Sequence, residues 1–233
     1  MLLILVSRIA GGQVLIPYES AWRYYKGKSA ISSTWTMPDY DDNSWLYGNA
    51  PFWYGSGSGG TQLTDMHNSY TTVFLRKKFE VTTPDSLMGN LVATFKYDDG
   101  FRVWINGQLA FERNAPTANT YDAVAPAAQN MVSAPVTDSI SSSKVELVKG
   151  MNTICILVFN VSLSSSDIYF DMQLTLSQKL PKTPDVTFSH PGGYYSNPFT
   201  LTLTVRLPAM PFAIPSTIPT LVPQQQLLPV NRH

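Results

Sequence analysis

Two adjacent carboxylates, Asp98 and Asp99, precede Gly100 at the junction of two apolar segments. Paired hard oxygens in a turn are suited to calcium, which gathers about six to eight oxygen ligands. The same three residues also make a turn, in which aspartate oxygens accept backbone N–H groups and glycine takes positive φ. Both uses stay open at the level of sequence. Asn106 adds a side-chain amide, and Trp53 and Tyr54, beside the loop Ser56-Gly57-Ser58-Gly59-Gly60, add aromatic rings. A pyranose packs its C–H face on such rings much as other apolar groups do. The candidate ligand-binding set is therefore Asp98, Asp99, Asn106, Trp53 and Tyr54, with Asp98 and Asp99 as the candidate metal ligands. Most other tryptophans are expected in a core, and Trp104 alternates with Val103 and Ile105, so it points to the other face with Arg102.

Catalytic material is sparse. His67, His190 and His233 stand in unrelated segments with no second ligand at metal spacing. No nucleophile elbow or Ser/His/Asp order appears. The acidic run Asp39–Trp45 lacks the glycine and the glutamate of a calcium-binding helix–loop–helix and is expected to be a loop whose Trp45 packs on a sheet. The glycine-rich loop lacks a phosphate-cradling lysine. A carboxylate pair for glycoside hydrolysis is a property of the fold, so a hydrolase remains the third-ranked reading. The single cysteine, Cys155, lies within the apolar run 153–159 and reads as a small buried hydrophobe.

The elements that must position these residues are strands. Val73, Leu75, Phe79 and Val81 share one face of 72–81, with Arg76, Lys78 and Glu80 expected on a wet face opposite. Leu91, Ala93, Phe95 and Tyr97 alternate with Val92, Thr94 and Lys96, and Ile168, Phe170, Met172, Leu174 and Leu176 alternate with Tyr169, Asp171, Gln173 and Thr175. The run 154–159 is apolar on both faces and predicts a central strand. Asn106-Gly107 between 101–105 and 108–111 predicts a two-residue hairpin. A second turn, Lys149–Asn152, is expected to join a strand at 144–148 to the central one. The stretch 114–143 predicts a long loop with one short strand.

Composition narrows the partners. Hydrophobic residues make up 44% of the 233-residue chain and aromatic residues 12%, enough for a sizeable core. Charged residues make up 14%, against roughly 25% in ordinary soluble domains. With a net charge of +0 and no basic stripe, electrostatic capture of nucleic acid has no support. The first apolar stretch is too short to span a bilayer, and reads equally as a degenerate signal segment or a first strand.

The order of several motifs resembles a known architecture. Trp22-Arg23-Tyr24, Pro38–Trp45, Gly48–Gly55, Val73–Phe79, Tyr97–Gly100, Trp104–Gly107, Gly150–Ile154 and Ser165–Asp171 together resemble the galactose-binding-domain-like jelly rolls of bacterial secreted proteins, over about residues 14–178. The resemblance implies an all-β antiparallel jelly-roll sandwich, outside the cell or on its surface, serving as a non-catalytic carbohydrate-binding accessory module. A glycan, calcium and the other domains of a longer parent protein are the partners it implies, and a purely structural spacer is the alternative. Asp98-Asp99-Gly100 is also similar to the run in sugar-binding domains that hold calcium and a glycan together. Pro184–Phe199 is similar to the start of the small β module at the C-terminus of chitobiases and β-hexosaminidases. The expected organisation is an N-terminal stub at 1–13, the jelly roll at 14–180, an incomplete β module at 181–205, and a proline-rich tail at 206–233. That tail, which lacks alternation and acidic residues, is expected to be disordered and a frameshift or truncation remnant.

Overall fold

Period-two alternation runs through most of the chain, and pleated strands with one apolar face follow from it. The computed structural model describes residues 12–83, 85–131, 134–179, 185–189, 197, 200 and 202–206. The chain divides into two units, at residues 1–180 and 181–233. The first contains β1 (Gln13–Ile16), β2 (Ala21–Lys26), β3 (Leu46–Asn49), β4 (Phe52–Tyr54), β5 (Thr61–Gln62) and β6 (Thr72–Val81). It continues with β7 (Met88–Asp98), β8 (Gly100–Ile105), β9 (Gln108–Arg113), β10 (Val136–Ser141), β11 (Gly150–Phe159) and β12 (Ile168–Gln178). The second unit shows β13 (Asp185–Phe188) paired antiparallel with β14 (Leu203–Arg206). The predicted stub lies almost wholly outside the described residues, as does the tail after Arg206. Among the described residues there is no α-helix, only three short 3-10 turns, and no helix long and apolar enough to cross a membrane.

The first unit is an all-β sandwich of two sheets. One has the order β10-β7-β12-β4-β5, with β1 also on β12; the other has the order β3-β2-β6-β11-β8-β9. Every pairing is antiparallel except β4 with β5. The inner faces meet in one core, where Leu75, Ile156 and Val103 from one sheet pack with Phe95, Phe170 and Leu174 from the other. β11 is central, between β6 and β8, as its two apolar faces require. Its Ile154, Ile156 and Val158 enter the inter-sheet core. Its Cys155, Leu157 and Phe159 enter a second cluster on the outer face, beneath Trp35, Trp45 and Ala125. Burial pushes the Cys155 thiol up to about 12, so it stays protonated and unreactive. Asn106 and Gly107, both at positive φ (51° and 82°), close the β8–β9 hairpin, as that turn demands.

Two local expectations are corrected. Arg76 does not face water: it is fully buried, because residues 35–42 fold over the outer face of β6. Its Nε donates to Asp42 Oδ2 at 2.9 Å and its Nη2 to the Met37 carbonyl at 3.2 Å, while Nη1 donates to the Trp35 carbonyl and, at 3.0 Å, to Cys155 Sγ. Nor is 144–148 a strand. Ser142–Val145 is a 3-10 turn ended by Glu146 in the left-handed region, at φ 49°. Asn152 then ties off the connection, accepting from Val148 N at 3.0 Å and donating to the carbonyls of Val148 and Gly150.

Removing one partner of a buried ion pair leaves the other charge desolvated, which costs about 3 kcal/mol or more. Asp42→Ala is therefore expected to destabilise the sandwich by about 3 kcal/mol in urea unfolding, whereas Asp41→Ala, one residue away on an exposed turn, is expected to cost under about 1 kcal/mol.

Candidate functional site

Asp98 ends β7 and Asp99 links it to β8, and both are buried. Asp99 uses both oxygens: Gln129 N donates to Oδ1 and Val161 N to Oδ2, each at 2.7 Å. Asn114 Nδ2 adds bonds to the carbonyls of Asp99 and Ala127. This is the turn-and-clamp use of the motif, fastening the loops after β9 and β11. Asp98 has no such pair of donors. Burial, then the charges of Asp99 and Asp167, push its carboxyl up to about 7. Beside this cluster, Asn160 is 1% exposed and its Oδ1 has no partner. Among the described residues no three His, Cys, Asp or Glu side chains come together to hold a metal ion.

The other predicted residues separate. Asn106 sits at the far end of β8, about 20 Å of strand from Asp99. Its Nδ2 donates to Asn152 Oδ1 at 2.9 Å and to the Glu146 carbonyl at 3.1 Å, and its Oδ1 accepts from Thr153 N at 3.0 Å. Its polar capacity is spent on the hairpin. Tyr54 turns its ring into the core and donates its hydroxyl to the Ser165 carbonyl. Trp53 faces outward from β4, pinned by Nε1 to the Gly59 carbonyl at 2.7 Å.

Register brings Trp53 and Asp98 into one row, since Tyr169 of β12 pairs with both. Next to that row, on the same outer face, Asp171 stands opposite Lys96. Here a polar cleft of about 660 Å³ opens, lined by Glu19, Asn49, Lys96, Tyr169, Asp171 and the loop Ser58–Thr61. A volume of this order suits a small organic ligand. The loop's close approach depends on Gly60: at φ 46°, a Cβ there would come within 2.3 Å of the Pro51 carbonyl oxygen. Thr61 holds the loop by donating Oγ1 to the Asn49 carbonyl at 2.8 Å and N to the Pro51 carbonyl at 2.9 Å.

Asp171 is 2% exposed at the floor of the cleft. Burial pushes its carboxyl up to about 6, against the opposing pull of the Glu19 and Met172 amides and of Lys96. Those amides reach Oδ1 at 3.2 and 2.8 Å, while Oδ2 accepts only a 3.3 Å bond from Glu19 N. The Lys96 ammonium lies 4.6 Å from the centre of the Tyr18 ring and, among the described residues, makes no ion pair. The Tyr18 hydroxyl is buried without a partner. The Glu19 carboxylate and Asn49 amide likewise have no side-chain partner among the described residues. Donors and acceptors thus converge on one space with bonding capacity left over. Nothing in the sequence pairs Asp171 with Lys96, 75 residues away; only the alternation of β12, which puts Asp171 and Tyr169 on one wet face, hinted at this site.

No family model matches the chain, and no curated protein matches it. Among solved structures it is similar to a calcium-binding mutant of Bacteroides uniformis β-glucuronidase 2, with 14% identity and a TM-score of 0.45 over 77% of this chain and 21% of that one. A β-glycosidase from Bacteroides vulgatus matches with 14% identity and a TM-score of 0.42 over 85% of this chain and 25% of that one. A β-glucuronidase from an uncultured Clostridium matches with 10% identity and a TM-score of 0.46 over 82% and 33%. The chain spans a third or less of the length of these three structures.

Asp98 and Asp171 both titrate higher in the folded chain than an ordinary aspartate, so the folded state holds protons more tightly than the unfolded state. Their contribution to stability is least above pH 7, where both are ionised in either state. It rises as pH falls through about 7 and about 6 toward the ordinary value near about 4. Asp98→Asn is expected to raise the melting temperature at pH 8 by about 3 °C or more, with the difference closing at pH 5, in paired thermal melts.

Proposed function

We propose that the sandwich is a non-catalytic carbohydrate-binding accessory domain of a longer, extracellular or cell-surface protein, and that the Asp171 cleft holds the sugar. The supporting observation is the set of unsatisfied donors and acceptors around one ring. A sugar hydroxyl both donates and accepts, so it needs carboxylates and amines side by side. Asp171 and Glu19 offer acceptors, Lys96 and Asn49 offer donors, and Tyr169 offers a face for the pyranose C–H groups. The finer assignment, a galactose-binding-like jelly roll followed by the start of a chitobiase-type module, belongs to the same proposal. Calcium has no part in holding the sugar in this reading, in which Asp99 spends each oxygen on a backbone amide.

A structural spacer is the second reading. It is favoured by Asn106 and Asp99, whose polar groups are consumed by the fold.

Titration calorimetry with methyl β-glucoside, methyl β-galactoside, N-acetylglucosamine and their short oligomers separates the two. Binding of at least one is expected, weakened about tenfold or more by Asp171→Asn or Lys96→Ala, unchanged by a chelator, and with no turnover of nitrophenyl glycosides. Absence of binding across the panel leaves the spacer. Turnover abolished by Asp171→Asn would instead make the cleft a hydrolase site.

A further inference from the structure

A second cavity, of about 630 Å³, lies over the outer face of the other sheet, on the opposite side of the sandwich from Asp171. Its floor is aromatic. Trp104 of β8 and Phe74 of β6 point outward there, and Trp35 meets both edge to face, with ring centres 5.3 Å apart at 77° and 5.0 Å apart at 85°. Ile31 and Tyr121 continue this apolar surface. The rest of the wall is polar: Ser33, Asn119, Thr120 and Asp122 line it. Among the described residues the Asp122 carboxylate and the Ser33 and Thr120 hydroxyls have no side-chain partner, and Asn119 uses only its Oδ1, on Arg102.

The wall is held in place before any ligand arrives. Arg102 donates to Asn119 and, at 2.8 Å, to the Pro116 carbonyl, while its Nε pairs with Glu112 at 2.7 Å. Thr72 Oγ1 donates to the Tyr121 carbonyl at 2.5 Å, and Ala123 N to the Thr120 carbonyl at 3.2 Å. Such preorganisation lowers the ordering cost of binding.

We infer that this cavity is a second carbohydrate site, taking one pyranose unit with its C–H face on the half-exposed Tyr121 and Ile31, above the buried Trp104–Trp35 floor, and its hydroxyls on Asp122, Thr120 and Asn119. The inference rests on the reading of the domain as carbohydrate-binding, and extends it from one site to two. The lining selects the ligand class. A wholly apolar ligand would desolvate Asp122 and the two hydroxyls without replacing their bonds to water, and an anion would meet Asp122 with no lysine or arginine lining the cavity. A ring with one apolar face and a polar rim satisfies both walls. Sites on opposite faces would let the domain bridge two stretches of a polysaccharide, gaining avidity without new contacts.

The test uses the full chain with the same methyl glycosides, N-acetylglucosamine and oligomers. Titration calorimetry gives the stoichiometry, and indole N–H signals of nitrogen-15-labelled protein report on Trp35 and Trp104, assigned through Trp104→Phe. Two sites per chain are expected. Asp122→Ala, a substitution on an exposed loop, and Tyr121→Ala should each leave one site and abolish the Trp104 indole shift. Asp171→Asn should also leave one site but keep that shift. A single site lost in Asp171→Asn, with no Trp104 shift in the wild type, overturns the second site and keeps the first. A single site lost in Asp122→Ala and untouched by Asp171→Asn keeps this cavity and overturns the Asp171 assignment. No binding by any probe overturns both.

Discussion

The buried guanidinium of Arg76 holds together the side of the sandwich that a bare sheet would leave to water. It sits on β6 next to the central strand and collects the carbonyls of Trp35 and Met37, the Asp42 carboxylate and the Cys155 sulfur. A charge in that position survives only because nearly every donor of its planar fork is used. In exchange, the segment that carries Trp35 and Trp45 is fixed over the sheet, and those rings complete an outer aromatic cluster. The central part of the sheet is thereby buried on both faces, which is why residues 154–159 of β11 can be apolar on both. The Trp35–Trp104 cavity exists only because this cover is in place.

The opposite sheet is organised by register. β12 pairs with β7 on one side and with β4 on the other, and this alignment sets Tyr169 between Trp53 and Asp98, and Asp171 across from Lys96. Two residues of that face carry carboxyls with raised affinity for protons, for different reasons. Asp98 is crowded by like charge as well as buried, whereas Asp171 is buried under a short loop and partly compensated by amides and an ammonium. Asp99, between them in kind, is held by two short amide bonds and acts as a fastener of loops. Asp99 is thus a structural carboxylate, whereas Asp171 is one that lines the cleft.

Much of the scaffold was legible in the residues alone. The strand over 72–81, the central apolar strand, the Asn106-Gly107 hairpin and the outward direction of Trp104 all follow from local alternation and turn chemistry. Two readings failed where a distant segment intervened: Arg76 was expected in water until residues 35–42 covered it, and 144–148 was expected to pair until Asn152 bound its backbone. The candidate ligand residues share one cause of dispersal. Each was chosen for its type, and type does not reveal whether a polar group is already used by the fold, as Asn106 is by Glu146, Asn152 and Thr153.

By itself, then, the sequence determined the class of structure, because the period of hydrophobicity acts over neighbouring residues and needs no partner to be read. It determined an all-β chain with a two-sided central strand and one certain hairpin. Tertiary structure decided the sites. Glu19, Asn49, Lys96 and Asp171 meet only through strand register and loop packing between segments up to 152 residues apart, and Trp35, Trp104 and Asp122 meet only because loops cover one sheet. Whether a polar side chain is spent or available depends on those long-range pairings, which no local pattern encodes.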